Sequence, residues 1–223
     1  MENPINKFRI FIIDDHPVVI RGLSNLIEQE KELCVCGSAV DTKNVVDEIK
    51  KIKPDLIILD ISLKDLNGLD FIKELKNFSL EIPVLVLSMH DENIYAERSL
   101  HAGARGFIMK QEAPEKVISA IQEILRGNIY LSDKMKKIVL EQFASKDIKK
   151  NNISSIKTLS ERELEVFEMI GKGFSSRQIA ESMFLSIKTI ETYRARIKTK
   201  LNLTSPNELL QYAIQWVHAG SGD

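Results

Sequence analysis

The stretch Leu56-Ile57-Ile58-Leu59-Asp60-Ile61-Ser62 is an unbroken apolar run that ends in one acidic residue and a turn. So short a run without polar alternation predicts a strand buried on both faces, the central position of a parallel sheet. In open parallel sheets ligands bind just beyond the carboxyl ends of the strands. Asp60 stands at that end, so the remainder of the chain is read for what it brings to the same rim.

Upstream, Phe8-Arg9-Ile10-Phe11-Ile12-Ile13 predicts a first strand, followed at once by Asp14, Asp15 and His16. Pro17 suits the first turn of a helix whose apolar positions Val18, Leu23, Leu26 and Ile27 recur at helical spacing. Further strands are predicted at 33–39, 83–88 and 106–109, with helical patterns at 41–52, 67–77, 92–102 and 114–126. Five strands alternating with helices imply right-handed crossovers and an α/β domain over 1–126, a doubly wound five-stranded parallel sheet of flavodoxin-like type.

From Gly127 the pattern stops. Residues 132–143 predict a helix, and 144–157, rich in Ser, Asn and Lys, predict a tether, so 127–157 reads as a linker. Residues 158–223 are short helical segments with strong start signals, a second, smaller all-α domain. Ser160-Glu161-Arg162-Glu163, Ser175-Ser176-Arg177-Gln178 and Ser205-Pro206-Asn207-Glu208 each match a capping box, and Ser186 caps a helix over 187–201. Gly171 and Gly173 end the first of these helices. The tight Met183-Phe184-Leu185-Ser186 connection suggests a helix-turn-helix.

With 223 residues, 43% hydrophobic and 28% charged, the chain has the composition of a globular protein with room for two domains. No apolar stretch reaches the roughly 20 residues that a membrane span needs. Met1-Glu2-Asn3-Pro4-Ile5-Asn6-Lys7 has neither the basic start nor the apolar run of an export signal, so a cytoplasmic protein without a membrane partner is expected. Cys34 and Cys36 share one face of a strand-like run with no further Cys or His cluster nearby, and read as small buried apolar side chains. The net charge of -1 is unevenly spread: 16 Lys+Arg against 21 Asp+Glu in 1–126, 7 against 3 in 127–157, and 8 against 8 in 158–223. The balance changes at both boundaries, which supports the three-part division.

In the flavodoxin-like strand order, strands one and three are central neighbours, so Asp14, Asp15 and Asp60 converge at one rim. Three carboxylates so close repel one another, and ionising them together calls for a hard cation. Mg²⁺ is the natural candidate, because it accepts a few carboxylates and leaves a position for a phosphoryl oxygen. The chemistry expected is in-line attack of the Asp60 carboxylate on phosphorus, in which the protein positions groups and compensates charge. Ser88 ends strand four with a hydroxyl, and Lys110 ends strand five with an ammonium, each able to meet a phosphoryl oxygen. Taken singly they read as a turn residue and a solvated charge; their joint placement is the signal.

Asp14-Asp15, Asp60, Ser88 and Gly106-Phe107-Ile108-Met109-Lys110 resemble the receiver domain of bacterial two-component response regulators, over residues 8–126. The resemblance implies phosphorylation of Asp60 by a histidine kinase, and Mg²⁺ held by Asp14, Asp15, Asp60 and the Ser62 backbone carbonyl. It also implies a switch in which the phosphoryl group draws Ser88 inward and the Phe107 ring fills the vacated space. Lys64 and Asp65 stand where family members often carry Pro and Gly. Ser62 and His90, two residues beyond the acceptor and the switch hydroxyl, are expected to tune dephosphorylation. One rival is a Mg²⁺-dependent phosphohydrolase with Asp60 as nucleophile, but such sites want a second acid two residues on, where Ser62 stands. Another is a regulator whose receiver is only an interaction scaffold, against which the intact acidic set argues. No enzymatic turnover is expected beyond slow self-phosphorylation and self-dephosphorylation of Asp60.

Residues 159–203 resemble the helix-turn-helix of NarL/LuxR-type transcription regulators. Leu159-Ser160-Glu161-Arg162-Glu163, Gly173, Ile179-Ala180 and Thr189-Ile190 arrive in the expected order and spacing. Charge points the same way: Lys188, Arg194, Arg196, Lys198 and Lys200 face only Glu191 on the helix 187–201, while Glu161, Glu163, Glu165 and Glu168 make the first helix acidic. A basic helix laid in the major groove is expected, with phosphate contacts along its flanks. Ile187, Ile190, Ile197 and Leu201 should face the core, leaving Lys188, Glu191, Thr192, Ala195 and Lys198 outward. Glu191 is expected to accept from cytosine and Thr192 to touch a thymine methyl, with Lys188, Thr189, Tyr193, Arg194, Arg196 and Lys198 at phosphates or groove margins. Gln211, Tyr212, Ile214, Gln215 and Trp216 lie on the last helix, Trp216 as packing; in relatives this helix dimerises on promoter DNA, so a homodimer on phosphorylation or on DNA is expected.

Overall fold

The computed structural model of the chain describes residues 7–42, 44–63, 67–89, 92–137, 156 and 158–220. The chain divides into two compact units, 1–144 and 145–223.

In the first unit the elements alternate as β1 (Phe8–Ile13), α1 (Pro17–Glu28), β2 (Leu33–Ala39), α2 (Val45–Ile52), β3 (Leu56–Asp60), α3 (Gly68–Asn77), β4 (Val84–Ser88), α4 (Glu92–Ala102), β5 (Gly106–Met109) and α5 (Ala113–Leu125). A single 3₁₀ turn, Lys110–Glu112, joins the last two. The sheet runs β2-β1-β3-β4-β5 with every pairing parallel, and no residue of β3 is more than 1% exposed. That burial requires cover on both faces and is why the strand reads as an uninterrupted apolar run. On one face Ile10, Ile12, Ile58 and Leu85 pack with Leu23 and Ile27 of α1 and with Val117 and Ile121 of α5. Phe11, Ile13, Ile57, Leu59, Val86 and Phe107, alternate residues of the same strands, are as deeply buried on the other face. The register pairs Ile13 with Leu59, Asp60 with Leu87 and Ser88 with Met109, so the strand ends line up along one rim.

In this unit three expectations need correction. The pattern over 41–52 becomes a helix only from Val45, because Asn44 adopts a left-handed conformation (φ 61°) that cannot continue a right-handed turn. Val18 is 82% exposed, since side chains in the first turn lean toward the helix N-terminus and off the end of the core; Val19 and Ile20 pack instead. Cys34 and Cys36 are half-buried free thiols: β1 pairs Ile10 with Val35 and then Phe11 with Gly37, so Cys36 is the extra residue of a bulge. Its Sγ donates to the Ile10 carbonyl, and burial pushes the thiol above its ordinary pKa.

Residues 133–137 are helical, within the predicted helix 132–143, whose remainder lies outside the described residues, as does nearly all of the tether.

The second unit comprises α6 (Glu161–Gly171), α7 (Ser176–Ser182), α8 (Ile187–Lys200) and α9 (Pro206–Gly220). Ser160 with Glu163 and Ser175 with Gln178 form complete capping boxes. The third is only half made: Ser205 Oγ accepts from Glu208 N at 3.1 Å, but the Glu208 carboxylate turns to the Thr204 amide and hydroxyl, each 2.7 Å away. Gly173, at φ +86°, supplies the left-handed residue that ends α6. Phe167 of α6 meets Tyr212 and Trp216 of α9 at ring-centroid distances of 5.8 and 5.4 Å in tilted geometry, which makes Trp216 a packing residue. Among the described residues no helix is long and apolar enough to cross a membrane.

Candidate functional site

Asp14 directly follows β1, Asp60 ends β3, Ser88 ends β4 and Lys110 directly follows β5. The fold brings together the residues expected at the rim, and the ion pairs record it. Lys110 Nζ lies 2.7 Å from Asp14 Oδ2 and 2.8 Å from Asp60 Oδ2. Asp14 and Asp60 are each 1% exposed, Ser88 is fully buried and Phe107 is buried two residues further back on β5. Ser62 N donates to Asp60 Oδ1 at 3.2 Å, fixing the carboxylate from its own turn. One ligand atom from each of Asp14, Asp15, His16 and Asp60 lies within 4.8 Å of the others, the one such group among the described residues.

The electrostatics are those of an under-compensated anionic pocket. Burial pushes the Asp60 carboxyl above its usual range, and Lys110 beside it pulls downward without cancelling the shift. For Lys110, burial works against the ammonium, but Asp60 and Asp14 outweigh it and hold the group above its ordinary value. Three carboxylates face one buried ammonium, an excess of two negative charges when all are ionised. Hard oxygen donors with that excess match a divalent cation such as Mg²⁺.

The chain's reading from sequence missed two local devices. His16 closes over the acidic pair, with Nδ1 2.6 Å from Asp15 Oδ1 and 3.2 Å from Asp14 Oδ1. Asn67 and Gly68 fold the turn after Asp60 back onto the end of β3. Asn67 Oδ1 caps α3 by accepting from Leu69 N, and Gly68 N donates to the Ile61 carbonyl at 2.8 Å. An Asn-Gly pair before a periodic apolar stretch is a recognisable cap signal. Lys64, Asp65 and His90 lie outside the described residues.

In the second unit, Ile190, Ile197 and Leu201 are buried as expected, but Ile187 is 50% exposed: it occupies the first helical position, beyond the reach of the packing helices. Lys188, Glu191, Thr192, Ala195 and Arg196 are exposed; Thr189, Tyr193, Arg194 and Lys198 are half-buried, so Lys198 is not the outward residue expected. Thr192 Oγ1 donates to the Lys188 carbonyl at 2.9 Å, which commits its hydroxyl proton to the helix backbone and leaves its methyl and the oxygen lone pairs uncommitted. Glu191 Oε1 accepts from Ser176 Oγ at 2.6 Å, tying α7 to α8. The acidic face of α6 is not a solvated surface. Glu163, Glu165 and Glu168 are at most 9% exposed; Glu165 pairs with Arg162, and Glu163 accepts from Lys200 Nζ at 2.6 Å. Burial alone would raise the Glu163 carboxyl, but Lys200 and the Ser160 amide and hydroxyl hold it below its usual range.

A parallel α/β domain with a carboxylate–lysine rim, followed by a helix-turn-helix, defines a class: a receiver coupled to a DNA-binding output domain. Residues 10–122 match the response regulator receiver domain family, and residues 157–213 match the family described as bacterial regulatory proteins, luxR family. The chain belongs to the response-regulator family and is a two-component response regulator controlling transcription through a LuxR-type domain. It is similar to the oxygen regulatory protein NreC of Staphylococcus epidermidis, 33% identical over 211 residues that cover 93% of this chain and 97% of that protein. NreC of Staphylococcus aureus is 32% identical over 210 residues, with the same coverage. Among solved structures, RcsB of Salmonella enterica serovar Typhimurium, bound to promoter rprA in the presence of the phosphomimetic BeF3-, is 26% identical with a TM-score of 0.61, covering 93% of this chain and 98% of that one.

Proposed function

We propose that Asp60 is the phosphoacceptor of this regulator and that a histidine kinase supplies the phosphoryl group. The phosphorus–nitrogen bond of a phosphohistidine breaks as a phosphorus–oxygen bond to the Asp60 carboxylate forms, and the departing imidazole takes up a proton. Asp14, Asp15, Asp60 and the Ser62 backbone carbonyl would hold Mg²⁺, whose contribution is to neutralise charge on the carboxylates and the incoming phosphoryl oxygens. Lys110, already between Asp14 and Asp60, pairs with a phosphoryl oxygen, and Ser88 donates its hydroxyl to another. Ser88 and Phe107 form the switch: as the hydroxyl moves inward, the Phe107 ring, which is buried here, is held in that position.

The output step is sequence-specific DNA binding by α8 in the major groove. Glu191 and Thr192 read bases, while Lys188 and Arg196 meet phosphates, with Thr189, Tyr193, Arg194 and Lys198 at the groove margins. That RcsB is known bound to promoter DNA with a phosphomimetic supports this order of events. The active form is a homodimer on two half-sites, and the protein works in the cytoplasm on a kinase and promoter DNA. The division into a receiver at 1–126, a linker at 127–157 and an output domain at 158–223 is part of the same proposal.

The observation that carries this reading is the grip of Lys110 Nζ on Asp14 and Asp60 at 2.7 and 2.8 Å, at the rim where Ser88 also ends its strand. The test is incubation of the full chain with Mg²⁺ and acetyl phosphate, followed by intact-mass measurement and promoter-fragment binding. Wild type gains one phosphoryl group and binds DNA more tightly; Asp60→Asn gains none. A phosphoryl group on Asp60→Asn, or none on wild type, overturns the proposal.

A further inference from the structure

The proposed reading gives His16 no task, yet its imidazole is the most intimate neighbour of the acidic pair. Nδ1 stands 2.6 Å from Asp15 Oδ1 and 3.2 Å from Asp14 Oδ1, and the His16 amide donates to Asp14 Oδ1 at 2.9 Å, which fixes the backbone under the ring. Ligand atoms that are neighbours on an octahedral ion, each about 2.1 Å from it, lie roughly 3 Å apart. Nδ1 already stands at about that spacing from one oxygen of each of the two carboxylates. Asp14, Asp15, His16 and Asp60 each bring one ligand atom within 4.8 Å of the others, and with 63% of its side chain exposed His16 stands at the open side of the cluster.

We propose that His16 is a fourth metal-ligating side chain that makes the acidic mouth a mixed nitrogen–oxygen site, so that it takes borderline first-row divalent ions such as Co²⁺ and Ni²⁺ in preference to Mg²⁺. This rests on the reading that Asp14, Asp15 and Asp60 hold a divalent ion, and extends it to which ion is held. Mg²⁺ is a hard ion that gains little from an imidazole and prefers to keep water in that position. Imidazole nitrogen suits the later first-row ions, whose affinities rise in the order Mn²⁺, Co²⁺, Ni²⁺. The contribution of His16 is therefore graded: negligible for Mg²⁺, small for Mn²⁺ and large for Co²⁺ and Ni²⁺. In a cell this would make occupancy of the phosphorylation site depend on which divalent ions are available.

The experiment is calorimetric titration of untagged full-length wild type and His16→Asn with Mg²⁺, Mn²⁺, Co²⁺ and Ni²⁺, alongside the visible spectrum of bound Co²⁺. The expected result is Mg²⁺ affinity unchanged within about twofold, Co²⁺ and Ni²⁺ affinity reduced about tenfold or more, and a shifted Co²⁺ spectrum. Unchanged Mg²⁺ binding in the variant also certifies that it is folded. If His16→Asn binds Co²⁺ and Ni²⁺ as wild type does, with the same Co²⁺ spectrum, the inference falls while the Mg²⁺ reading stands. If wild type binds none of the ions, or binds them equally after Asp15→Asn and Asp60→Asn, both fall.

Discussion

Gly68 offers a test of how the fold aims Asp60, the proposed acceptor. A Cβ built on it would stand 2.9 Å from Ile61 Cα and 3.1 Å from the Asp60 carbonyl carbon, and nearer still to the Asp60 carbonyl oxygen. All three are backbone atoms, so no side chain can rotate out of the way. Reaching ordinary contact demands that α3 and the Asp60–Ile61 peptide part by roughly half an ångström or more, and such overpacking costs about 1–3 kcal/mol. Gly68 is the first residue of α3, so the better helix propensity of alanine, worth about 1 kcal/mol in a helix interior, offsets only a few tenths of this, leaving Gly68→Ala about 1–2.5 kcal/mol less stable. In a unit of this size that lowers the melting temperature by several degrees, about 3–8 °C. Because the displaced peptide is the acceptor's own, phosphoryl uptake from acetyl phosphate should slow about tenfold.

Gly22 is the matched control. It lies exposed inside α1 with nothing within 4 Å of an added Cβ, so Gly22→Ala should be more stable by about 0.5–1 kcal/mol with uptake unchanged. Thermal unfolding and timed intact-mass measurements on the two variants separate the effects. If Gly68→Ala melts at or above wild type and is phosphorylated at the wild-type rate while Gly22→Ala behaves as stated, close approach at Gly68 is not what holds Asp60 in place.

Other consequences concern the output domain. Glu163 has its carboxyl held low by Lys200 and Ser160, so its stabilisation is present above the unfolded carboxyl range, near pH 4.3, and is lost as the pH falls through the lower folded value. Glu163→Gln keeps the capping geometry but loses the charge, and with Lys200 partly in water should cost up to about 1 kcal/mol at pH 7, a gap that closes below pH 4 in pH-resolved urea melts. Arg196→Ala should weaken binding to all DNA sequences alike and reduce the slope of log affinity against log salt by about 1. Ser176→Ala frees the Glu191 carboxylate from α7 and should broaden base preference at one position with little change in salt slope, measured by binding to a randomised site library.

What could be read in advance divides along physical lines. β3 was legible because burial on both faces leaves no freedom for polar residues, and the rim followed once alternation fixed where each strand ends. Val18 and Ile187 were not, because periodicity reports a helical face without saying where the helix begins relative to the core. The partners of the α6 carboxylates were not legible for a different reason. A row of Glu looks like a solvated stripe unless its partners are known, and Lys200, the partner of Glu163, lies 37 residues away in sequence. His16 was visible as a letter, but its bearing on Asp15 depends on a backbone turn that composition does not encode.

The position of Lys110 ties the acidic rim to the proposed Ser88–Phe107 switch. Its ammonium holds two carboxylates from two strands, while its backbone begins the 3₁₀ turn directly after β5. A phosphoryl group on Asp60, as proposed, would present new oxygens to the same Nζ, and a buried ammonium follows its strongest partner because leaving it unpaired there is costly. Such a shift would reach Met109, which pairs with Ser88, and two residues further back Phe107. The rigidity of a fully buried sheet is thus what lets a change of charge at one carboxylate reach the side of the domain formed by β4 and β5, since close-packed strands pass a displacement on rather than absorb it.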